Sequence, residues 1–148
     1  LQRQYVLSPF LFHAGRDFEN SKLIVAVLYQ ATLPLPERGY YLRTDSGSIA
    51  VRVKYSQHIV NLMRLVARDS VAAVADARRV LALETALAEV LFSPAERRTT
   101  SLIHHKMNRA DLERLMPGFG WTPFLASMGR PDVDIIDVEN PRLVARVD

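Results

Sequence analysis

The side chain with the most chemical potential in this sequence is a carboxylate set among apolar residues. Glu84 falls within an alanine- and leucine-rich run from Val71 to Phe92. At helical spacing it sits about 40° from Val80 and about 20° from Leu91. That places it inside the stripe formed by Ala73, Val80, Leu83, Leu87 and Leu91. A buried, unpaired carboxylate costs several kcal/mol (roughly), so Glu84 needs either a partner or a proton. A general acid or base would also need a nucleophile or a second carboxylate, and none is spaced to serve. The cations Arg97, Arg98, His105 and Lys106 follow after a turn, so a structural ion pair is expected at Glu84.

His104 and His105 invite a metal reading. Adjacent residues point in different directions on any regular element, unlike the i, i+4 histidines of a helical zinc site. Asp111 is the nearby carboxylate, and His-Glu-x-x-His occurs nowhere in the chain. His13 and His58 stand alone. Ser46-Gly47-Ser48 is not the Gly-x-Ser-x-Gly turn that raises a nucleophilic serine. Pro117-Gly118-Phe119-Gly120 lacks the preceding strand of a dinucleotide or phosphate loop. With no cysteine in 148 residues, thiol catalysis, disulfides and cysteine-bound zinc are excluded. The expected inventory within this chain is therefore no catalytic residue, no cofactor-binding residue and no metal ligand.

The elements around these residues predict a mainly α fold, a helical domain with an N-terminal β-hairpin and a short C-terminal strand. Phe10, Phe12 and Ala14 alternate with Leu11, His13 and Gly15, and the β-branched run Leu23–Tyr29 follows a turn-rich stretch. A hairpin over about 8–31 results. Its second strand is apolar on both faces and needs a cover. Helices are expected at about 48–67, 71–92, 109–116 and 121–128. In the first, Tyr55, Ile59, Leu62, Met63 and Val66 share one face, opposite Lys54, Gln57, Asn61, Arg64 and Arg68. Asp69-Ser70 caps the second, Asn108 with Asp111 caps the third, and Gly129 ends the fourth in a left-handed cap. Val133–Val138 alternates as a strand, and Asn140-Pro141 opens a further helix cut short near Asp148. The whole reads as one partial domain spanning 1–148, a fragment of a longer chain.

A net charge of +3 with 24% charged residues is mild. The Lys54–Arg64–Arg68 row carries no interleaved aromatics, so it reads as a solvated face, and no nucleic-acid partner is expected. No run reaches the ~20 apolar residues of a membrane span, and Leu1–Tyr5 lacks the organisation of a signal peptide.

Several segments together resemble one family. Leu33-Pro34-Leu35-Pro36-Glu37-Arg38-Gly39-Tyr40-Tyr41-Leu42 is similar to the Gly-Leu-Pro-x-Arg-Asp-Tyr-Tyr-Leu stretch of the neprilysin and endothelin-converting-enzyme family of zinc metallopeptidases. Leu83-Glu84 with Leu87-Ala88, Glu96-Arg97-Arg98, Lys106-Met107 and Pro117-Gly118-Phe119-Gly120-Trp121 resemble later motifs of that family in the same order. Gly39, Thr99, His105 and Gly120 depart from its usual residues. The resemblance implies part of the large helical non-catalytic region, which lines the substrate cavity opposite the catalytic domain. Zinc and its ligands would then lie in a catalytic domain absent from this chain. The implied partners are that domain and the parent's peptide substrates, in a secreted, periplasmic or cell-envelope setting. The competing expectation is a stand-alone helical interaction module from a split or degenerate peptidase gene.

Overall fold

The structure, a computed structural model, describes residues 8–66 and 69–147. The readings of Leu1–Tyr5, of a first helix reaching Ala67 and of Arg68 in the polar row lie outside the described residues. The fold is mainly α, with the expected N-terminal hairpin and C-terminal strand. The chain divides into two compact units. One is Thr32–Val90, and the other combines the stretch up to Ala31 with that from Leu91 onward.

The first unit is helical: α1 (Gly39–Leu42), α2 (Ser46–Leu65) and α3 (Ser70–Val90). Helix α2 starts two residues earlier than its expected Ser48, because Asp45 is the cap. Its Oδ1 accepts the Ser48 amide at 2.9 Å, and its Oδ2 accepts the Ser48 hydroxyl at 2.7 Å. Asp69 caps α3 as expected, with Oδ1 accepting the Val71 and Ala72 amides at 2.9 Å each. Ile59 and Val60 of α2 pack against Ala73 and Ala77 of α3, whose small side chains let the helices approach. Three apolar assignments need correction. Leu62 is 47% exposed, Val66 69% and Leu83 61%, while Val60 and Ala77 are buried. The contact face of each helix is rotated from the one that hydropathy alone selects, because it follows the partner helix.

The second unit is a four-stranded sheet covered by short helices. Strands β1 (Phe10–Arg16), β2 (Ile24–Gln30), β3 (Lys106–Asn108) and β4 (Ile135–Val138) lie in the order β1-β2-β4-β3. The hairpin pairs Phe10 with Gln30 through Arg16 with Ile24. Strand β2 also runs parallel to β4, and β3 pairs antiparallel with β4. Three-residue β3 was not foreseen. A Lys-Met-Asn triplet is too short to show a period, and its pairing is non-local.

Helices α4 (Thr100–Ile103), α5 (Arg109–Leu115), α6 (Trp121–Ser127) and α7 (Pro141–Val147) belong to this unit, with a 3₁₀ turn at Glu96–Arg98. The core joins Phe10, Leu28, Ile136 and Val138 of the sheet to Leu112, Trp121, Leu125 and Val144 of the helices. One face of β2 is thus covered as its composition required, at about 1.5–3 kcal/mol per buried large side chain. The local caps form as the sequence predicts. Asn108 and Asp111 make a reciprocal capping box. Gly129 has φ 74°, and the Arg130 amide reaches back to the Leu125 carbonyl at 3.0 Å. Asn140 Oδ1 accepts the Leu143 amide at 3.2 Å at the start of α7.

Candidate functional site

In the helical unit, Glu84 is 9% exposed and takes part in no ion pair among the described residues. Tyr41 donates to its Oε2 at 3.0 Å and Tyr55 to its Oε1 at 2.8 Å. The Leu35 amide donates to the Tyr41 oxygen at 3.1 Å, extending the chain of bonds into the Pro-rich segment. This corrects the expected pairing with Arg97, Arg98, His105 or Lys106. Two hydroxyls satisfy a buried carboxylate without desolvating a second charge, the costly part of a buried ion pair. Burial, followed for Tyr55 by its bond to Glu84, pushes both phenols well above their ordinary value of 10.0. They therefore stay protonated and donate. The signal was present in the sequence only as two tyrosines, one in a turn and one on an apolar helix face. A tyrosine tip finds its partner through tertiary structure.

The cations once expected near Glu84 serve the sheet unit. Arg97 Nε donates to Glu139 Oε1 at 2.8 Å, and its guanidinium lies 4.6 Å from the Tyr29 ring centre. Glu139 Oε2 accepts the Gln30 amide at 2.6 Å. The Gln30 side chain bonds both the Phe92 amide and carbonyl, and accepts from Asn140 at 2.7 Å. Lys106 bridges Asp17 at 2.8 Å and Glu19 at 2.5 Å. The Lys106 bond is the largest reason that the Asp17 carboxyl lies below the usual carboxylate range.

The two histidines are engaged separately. Asp137 Oδ2 accepts from His104 Nδ1 at 2.6 Å, while Oδ1 accepts the His105 amide at 2.9 Å. The His105 ring donates from Nδ1 to the Val138 carbonyl at 3.0 Å. Phe18 stacks on the His104 ring at 4.5 Å. A carboxylate-oriented imidazole is half of a general-base arrangement, but His104 makes no hydrogen bond to a hydroxyl among the described residues. Asp111 is occupied in the α5 cap and by Arg114. Among the described residues, no three His, Asp or Glu side chains come together in a way that could hold a metal ion. Lys54 and Arg64 are exposed on α2, where Gln57 bonds Asn61 at 3.0 Å.

The family model described as peptidase family M13 matches residues 1–148. The chain belongs to peptidase family M13. Human endothelin-converting enzyme 1 is 34% identical over 129 residues, a match covering 86% of this M13 chain and 17% of that protein. Human membrane metallo-endopeptidase-like 1 is 30% identical over 134 residues, covering 85% and 17%. The Mycobacterium tuberculosis zinc metalloprotease solved with an inhibitor superposes with a TM-score of 0.87 at 27% identity. That match covers 99% of this chain and 22% of the other. The M13 chain thus spans roughly a fifth of the length of these relatives, and the family resemblance read from its motifs is borne out. A zinc ion does not fit the described residues. His104 and Asp137 are bonded to each other, and among the described residues no third His, Asp or Glu joins them in a set that could hold a metal.

Proposed function

We propose that this M13 chain is a non-catalytic part of a zinc metalloendopeptidase, forming wall of the chamber that holds peptide substrates and packing against the catalytic domain of the same polypeptide. The carrying observation is the match to nearly all of this chain but only 22% of a zinc metalloprotease. The side-chain chemistry agrees. Glu84 and Asp137 use their oxygens to fix secondary-structure elements in place, which is a supporting role. In this reading zinc belongs to the parent's catalytic domain, the parent's substrates are peptides, and its setting is secreted or envelope-associated. The two compact units then serve as one partial domain of the parent.

Expression of the chain alone tests the proposal. The expected result is no peptidase turnover and no stoichiometric zinc, with chelator-sensitive turnover in the complete parent. Homogeneous chain that cleaves peptides, and loses that activity to a chelator, overturns it.

A further inference from the structure

Helix α2 carries two apolar stripes. Tyr55, Ile59, Val60 and Met63 meet α3, whereas Ile49 and Val53, one turn apart, form a second apolar strip about a quarter-turn away that runs down to buried Val60 at the groove floor. The second stripe faces a groove of about 430 Å³ between α2 and α3, closed on the far side by Val74 and Leu81. Ile49 is 44% exposed and Val53 64%, so the helical unit leaves this surface open. From Ile49 to Val60 the groove runs about 16 Å, close to three helical turns. Spacing of this kind on both walls suits a third helix rather than an extended strand.

Charge selects among helices. Arg52 and Arg78 line the groove, and no acidic residue does. Arg52 donates to the carbonyls of Tyr40 and Arg43, and neither arginine pairs with a carboxylate among the described residues. A second copy docking through the same groove about a two-fold axis would bring these arginines against their own kind. We propose that the groove seats an amphipathic helix from the rest of the parent polypeptide, its apolar stripe on Ile49 and Val53 and a carboxylate against Arg78. The inference rests on the proposed function, which gives this chain a parent several times its length.

The test places the photo-crosslinking residue p-benzoylphenylalanine at Val53 in the complete parent, with Lys54 as a control position. Crosslinks are mapped by mass spectrometry, and peptidase turnover is measured in the same preparation. Val53 should join an intramolecular helix bearing Asp or Glu within a turn of the attachment point, and Lys54 should not. Arg78→Glu should cut the adduct yield severalfold, and Asp/Glu→Arg on the attached helix should restore it. A covalent dimer, an adduct with a foreign protein, or no adduct in an active preparation overturns the inference and leaves the peptidase reading standing. An adduct without chelator-sensitive turnover would overturn that reading instead.

Discussion

Tyr55 donates its phenolic hydrogen to Glu84 across the α2–α3 interface at 2.8 Å, and so joins the two long helices by a bond that no cation could have made as cheaply. Tyr41 occupies the other carboxylate oxygen and ties α1 into the same cluster. Removing one donor leaves a buried acceptor bare. Tyr41→Phe should lower stability by about 1–3 kcal/mol, since the Leu35 amide also loses its acceptor. Urea unfolding of the chain checks this, and a double-mutant cycle with Glu84→Gln should show coupling between the two positions.

The same cluster sets an alkaline limit. Both phenols have pKa values raised in the fold above the ordinary 10.0, so the unfolded chain releases these protons first. Their contribution is fully present below pH 10 and is lost progressively as pH climbs above it. Thermal midpoints followed from pH 8 to about pH 11 should fall more steeply for the native sequence than for Tyr41→Phe/Tyr55→Phe.

Asp137 should be intolerant of an amide. Each of its oxygens accepts one bond, from the His104 ring and from the His105 backbone. Asp137→Asn turns an amide donor toward one of these donors, at a cost of about 1–3 kcal/mol. Loss of stability should appear in urea melts together with faster hydrogen exchange at the His105 amide. Unchanged exchange would contradict the geometry.

Gly129 tests backbone conformation without crowding. A Cβ there would meet nothing within 4 Å, yet φ is +74°. Gly129→Ala should therefore cost about 1 kcal/mol through strain alone, and Gly129→Asn less. Calorimetry on both variants separates the two.

What the sequence disclosed was local. Caps at Asp69, Asn108, Asn140 and Gly129 were legible because a cap is written within four residues. The hairpin was legible from alternation and the long helices from composition. Pairings made across the chain were not. Nothing near Leu28 signals that its neighbour is Val138, and nothing near Glu84 signals a tyrosine 43 positions upstream. Leu62 and Leu83 misled for the same reason, since hydropathy gives an apolar arc but the partner helix chooses which part of it to cover.

Strand β2 draws one neighbour from the hairpin and the other from a segment more than a hundred residues later, while Thr32–Val90 folds on itself between them. During synthesis the helical insert therefore has its internal contacts available before the sheet can close. A nascent chain halted before Ile135 should carry a folded pair of long helices beside an unsealed hairpin whose apolar strand is open to chaperones and proteases.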